Sequence, residues 1–144
     1  MLSRRSFLFG IGAAGLFFDV PTAEPTEAEL LFNELYERDV VLTDKCRDLS
    51  GQPVTMTGFM APPLKAEARF FVLTGVPMAV CPFCESEAQW PDDIVLVMTD
   101  TAISAIPFNR PIRVRGVLET GFVKDPETGF VSLIRLVDAE FERL

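Results

Sequence analysis

The sequence predicts a mainly β protein, a small five-stranded barrel of the OB type with an N-terminal helix, and three observations carry that expectation. Beyond residue 50 the patterning has a period of two, turn formers separate the β-prone runs, and the runs between residues 54 and 141 number five. A different five- or six-stranded barrel would give the same pattern.

The helix is expected first. Thr26-Glu27-Ala28-Glu29 has the form of a capping box, with Thr26 as N-cap and Glu29 at the third helical position. Ala28, Leu31, Phe32 and Leu35 then share one face to about Asp39, while Glu27, Glu34, Glu37 and Arg38 point elsewhere. A turn at Asp48-Leu49-Ser50-Gly51 precedes the first strand, 54–60, in which threonines alternate with larger side chains. Pro62-Pro63 marks a loop. Runs 69–74 and 94–99 are short and almost continuously apolar, as in strands buried on both faces. Residues 101–106 read as a helical turn. Over 111–119, Ile112, Val114 and Leu118 face inward and Arg113 and Arg115 outward. Lys124-Asp125-Pro126-Glu127-Thr128-Gly129 is a hairpin turn, and 130–137 returns, continuing toward Phe141.

Ahead of this domain, Ser3-Arg4-Arg5-Ser6-Phe7-Leu8 leads into an apolar, glycine-spaced run over residues 9–18, the order of a twin-arginine export signal. The run is too short to span a bilayer stably, and small residues near Thr22 and Ala23 offer a cleavage point. The expected organisation is a signal peptide over 1–23 and one domain over 24–144, located in the periplasm. The membrane is involved only if the signal stays uncleaved. No cysteine ends the run, which argues against a lipoprotein.

Removing the signal leaves about 120 residues, enough for one modest core. The formal net charge of −8 becomes −9, because 11 basic residues then face 20 acidic ones. Such a surface argues against nucleic acid as a partner. A hydrophobic fraction of 49% with 13 phenylalanines marks a folded chain.

Two of the three cysteines stand in Cys81-Pro82-Phe83-Cys84, inside a long connection between the second and third expected strands. Connections longer than about 12–15 residues in compact domains are usually functional or disordered, and Phe83, Trp90 and three prolines argue for order. A pair at this spacing forms a reversible disulfide, holds a soft metal or closes a structural ring. In an oxidising compartment it tends toward the disulfide unless a metal or reductant intervenes. The motif resembles the active site of glutaredoxins, but in that fold the first cysteine opens a long helix, and here Pro91 ends any helix within two turns. A metal site must be built without histidine, since the chain has none. Cys81 and Cys84 with Met78, or with Met60 brought over by folding, suit Cu(I); with Glu85 or Glu87 they make an atypical zinc site. Cys46 is a buried hydrophobe, a resolving thiol or a further ligand.

The segments Leu49-Ser50-Gly51-Gln52-Pro53-Val54-Thr55-Met56-Thr57-Gly58-Phe59-Met60-Ala61-Pro62, Arg69-Phe70-Phe71-Val72-Leu73 and Ile94-Val95-Leu96-Val97, with the cysteine loop, resemble a family of small exported bacterial proteins, a domain of unknown function. The resemblance covers most of the mature chain. It implies an OB-like barrel and, since some members are encoded beside metal-uptake transporters, an envelope metal-transport component as partner. Only Met60 and Cys81 carry over, and in position alone. Many members have one cysteine followed closely by a histidine and a proline run, whereas Cys81 is followed by Pro82-Phe83-Cys84. The expected function is that of an exported accessory or binding protein, non-enzymatic, handling copper or zinc through the cysteine loop. A thiol-disulfide redox protein and a structural disulfide beneath a protein-binding surface are the alternatives.

Overall fold

The computed structural model describes residues 26–63, 67–79, 93–126 and 129–144. Its elements in chain order are β1 (Ala28–Glu29), a 3-10 turn (Phe32–Glu34), β2 (Tyr36–Arg38), β3 (Val41–Leu42), α1 (Asp44–Asp48), β4 (Pro53–Met60), β5 (Phe70–Thr74), β6 (Ile94–Met98), β7 (Pro111–Lys124) and β8 (Val131–Arg143). The protein is mainly β, as expected, and the five predicted runs correspond to β4 through β8.

The expected N-terminal helix does not form. Ala28 and Glu29 instead pair in parallel with Val54 and Thr55, and the Leu30 N–H donates to Thr55 O at 3.0 Å. Leu30 and Leu35 are both fully buried, whereas Leu31, assigned to the core face, is 46% exposed. Residues five apart lie about 140° apart around a helix, so a helix would bury one of these leucines and expose the other. Extended chain with a single 3-10 turn buries both. The back-bonding carboxylate belongs to Glu34, which accepts from the Leu31 N–H at 3.0 Å and from Lys45 Nζ at 2.6 Å. The helix that does form is α1, where the Thr43 hydroxyl accepts from the Cys46 N–H at 3.1 Å and acts as N-cap.

Alternation along β4 buries Val54, Met56, Gly58 and Met60. One edge of β4 runs antiparallel to β7, from Pro53↔Val117 to Phe59↔Pro111. Its other edge takes β1 first and then β5, through Phe59↔Thr74 and Met60↔Leu73. β5 pairs antiparallel with β6, β6 parallel with β8 at Leu96↔Arg135 and Val97↔Leu136, and β8 antiparallel with β7. The result is a mixed sheet in the order β1-β4-β5-β6-β8-β7 with a further β4–β7 pairing. Its strands number six because β1 adds to the edge of β4 that β5 leaves open.

β5 and β6 are buried on both faces, as their apolar runs predict. Phe71, Leu73, Val95 and Val97 join the main core, while Val72, Ile94 and Leu96 form a second cluster with Ala61. On β7, Ile112, Val114 and Leu118 are buried and Arg115 is exposed, matching the inward and outward assignment. The hairpin closes where expected, with the Asp125 N–H on Phe130 O at 2.7 Å and Gly129 at φ +72°. Residues 101–106 are not helical. Their N–H groups go to neighbouring chain instead, Ile103 to Ala68 O at 3.0 Å and Ile106 to the Met60 sulfur at 3.4 Å.

Candidate functional site: the base of the cysteine loop

The connection from β5 to β6 carries the expected site, and both ends of it are described. Thr74, the last residue of β5, is fully buried, and its hydroxyl lies 2.7 Å from Val76 O and 3.3 Å from Phe59 O. One hydroxyl proton shared between two carbonyls ties the start of the loop to β4. The Gly75 N–H donates to Asp93 O at 3.0 Å and closes the loop at its root. Over this root lies the ring of Phe32. A Cβ on Gly75 would stand 3.1 Å from Phe32 Cγ, and one on Gly58 would stand 2.6 Å from Thr74 O and 3.0 Å from the same ring. Glycine at both positions lets the N-terminal segment cross directly over the junction of β4 and β5.

Cys81, Cys84, Glu85, Glu87, Phe83 and Trp90 lie outside the described residues, as does the expected signal over 1–23. Met78 is described, half-buried, close before the cysteine-bearing stretch. Met60 is fully buried, and its sulfur already accepts the Ile106 N–H. Cys46 is a free thiol, fully buried on α1 within the main core. Burial pushes it up from 9.0 to about 11, with the neighbouring Arg47 opposing in part, so it stays protonated at neutral pH. Among the described residues no group of three or more Cys, Asp or Glu side chains could hold a metal ion.

Phe32, Gly58, Thr74 and Gly75 are the parts of the site that sequence reasoning missed. The signal for Gly58 was present, since an isolated glycine in a strand marks a bulge or a close backbone approach. Phe32 carried no such signal, because its partner glycines lie 26 and 43 positions away.

Arg135 was missed as well. This β8 residue is 5% exposed and donates through Nε to Glu119 at 3.2 Å and through one terminal nitrogen to Gly121 O at 2.8 Å, Ser132 O at 3.2 Å and Ser132 Oγ at 3.1 Å. It fixes the irregular stretch of the β7–β8 ladder between Thr120 and Val123, where Gly121 adopts φ +111°.

The protein is similar in fold to a DUF3299 family protein from Pseudomonas aeruginosa PAO1, known from a crystal structure, with a TM-score of 0.53 and 15% identity over 82% of this chain and 96% of that one. At that identity the likeness concerns the fold. No family model and no curated protein matches the sequence.

Proposed function

We propose that this is an exported, non-enzymatic binding protein that handles a soft metal, copper or zinc, through Cys81 and Cys84. The scaffold is read as an OB-like barrel. Its support is the cycle of pairings from β4 through β5, β6, β8 and β7 back to β4, with one parallel step between β6 and β8.

The observation that carries the functional reading is the fixed root of the loop. Thr74, Gly75 and Asp93 hold both ends of the cysteine connection at the close of two strands buried on each face. Closing the connection at its root shortens the span of chain whose ordering a bound ion must offset. Two other sulfurs are committed to the core: Met60 as an acceptor, and Cys46 as a buried, protonated thiol. With no histidine in the chain, Cys81 and Cys84 are the thiolate ligands, Met78 the nearest described sulfur in sequence, and Glu85 and Glu87 the adjacent carboxylates. Export by the twin-arginine signal and delivery to an envelope metal-transport component complete the proposal.

Native and denaturing mass spectrometry of the reduced protein with Cu(I) or Zn(II) tests it. One ion per chain is expected, lost in Cys81→Ser and in the Cys81→Ser/Cys84→Ser variant. Binding no better than that of the double variant overturns the reading. A disulfide that reduces only under strong conditions would favour the structural alternative, and one that turns over a disulfide substrate would favour redox chemistry.

A further inference from the structure

At the opposite end of β6 from the cysteine loop, the chain from Thr101 to Arg110 crosses toward β7 and leaves a groove against the C-terminal end of β8. Two concavities make it up, of about 300 and 330 Å³, and they meet at Arg143. The first has an apolar floor of Ile103, Ile106 and Phe141 with the hydroxyl residues Thr101 and Ser104 at its rim. The second is lined by Arg110 and Arg143 beside Pro107 and Leu144. A tight turn presents Arg110, closed by its own N–H on Pro107 O at 2.9 Å.

Arg47, Arg113, Arg115 and Arg135 each have a carboxylate partner. Arg110 and Arg143 have none among the described residues, although the chain carries 21 acidic residues against 13 basic ones. Arg38 and Arg69 are also without an ion pair among the described residues, but neither lines this groove. Two guanidinium groups lining one concavity can both donate to a single anion, whose planar or tetrahedral oxygens match their forked donor geometry. The apolar floor continues from the same point, so the groove offers a charged end and an apolar end in one cleft.

We infer that this groove binds a small amphiphilic anion, its carboxylate or phosphate held between Arg110 and Arg143 and its apolar part lying on Ile103, Ile106 and Phe141. The groove lies at the opposite end of β6 from the base of the cysteine loop, and the inference does not rest on the metal-binding reading.

Isothermal titration calorimetry on the full chain at low salt tests this with octanoate, octyl phosphate, octanol and inorganic phosphate, each as a monomeric solute. Octanoate or octyl phosphate is expected to bind, and the tighter of the two identifies the head group. Octanol and inorganic phosphate should each bind at least about tenfold more weakly. Arg110→Gln/Arg143→Gln should weaken the preferred anion by at least about tenfold with the urea midpoint unchanged, since both side chains are on the surface. The inference is overturned by no binding of either amphiphile, by full affinity in the double variant, or by inorganic phosphate binding as tightly as octyl phosphate.

Discussion

The β7–β8 ladder is one long run of pairing between sequence neighbours, whereas the chain from Ala28 to Leu42 is built of short pieces, the first of them paired with the distant β4. In the ladder each strand meets its sequence neighbour, in a register that runs from Ile112↔Arg143 to Lys124↔Val131 and shifts at two places. In the N-terminal stretch β2 and β3 pair with each other, but the bonds at its start are borrowed from β4. β1 takes its pairing from β4, Leu30 takes Thr55 O, and Leu35 O receives the Thr43 N–H. The ladder's pattern and its hydrogen bonds specify the same structure, so alternation along it is a reliable guide. For the N-terminal stretch, burial is decided by where β4 and β5 part, a fact that no local pattern contains.

The sharpest way to break this comparison is a pair of adjacent leucines. Leu30→Ala removes a fully buried side chain from the main core and should cost about 3 kcal/mol, read as a large drop in the urea midpoint. Leu31→Ala should change stability by less than about 0.5 kcal/mol, because that side chain stands in solvent. A helix docked through Ala28, Leu31, Phe32 and Leu35 would reverse the order of the two effects.

The same contrast explains what could be read in advance. Val54, Met56 and Met60 against Thr55 and Thr57 announced β4, and the unbroken apolar runs of β5 and β6 announced burial on both faces, because each strand's environment repeats along its length. Thr26 and Glu29 had the spacing of a helix cap, but a cap contributes only about 1 kcal/mol and yields to the burial of two leucines. At the site, the cysteine pair stood out as residue types. Its base did not, since Phe32 meets Gly58 and Gly75 only after three separate segments converge. Arg135 was invisible for a related reason: a charged residue in an alternating strand is taken to face water, and its acceptors lie at a register shift that the alternation conceals.

Arg135 gives the intermediate effect and probes the ladder alone. Arg135→Gln withdraws the donor from Gly121 O and Ser132 and should cost about 2 kcal/mol, since buried acceptors lose their partner. The loss stays below that of a fully buried ion pair because Glu119 is 49% exposed and returns to water. Amide exchange should accelerate most at Thr120 through Val123 and their β8 partners, with β1 and β4 unaffected. Faster exchange spread evenly over both regions would mean that Arg135 does not act locally on the β7–β8 ladder.

The smallest effect concerns Cys46, on α1 at the join between the N-terminal stretch and β4, and it appears only with rising pH. Below pH 9 the thiol is protonated whether the chain is folded or unfolded, and it contributes no pH dependence. Between pH 9 and about 11 the unfolded chain releases the proton while the buried thiol retains it, so unfolding gains and stability falls as pH rises. Above that range both states are ionised and the loss is complete. The urea midpoint of the wild type should therefore decline across this window more steeply than that of Cys46→Ala. Iodoacetamide at pH 8 supplies the second readout: Cys46 should be alkylated only once urea has opened the core, and labelling of the native protein at the rate of a free thiol would place Cys46 outside the packed join that ties the borrowed segment to the sheet.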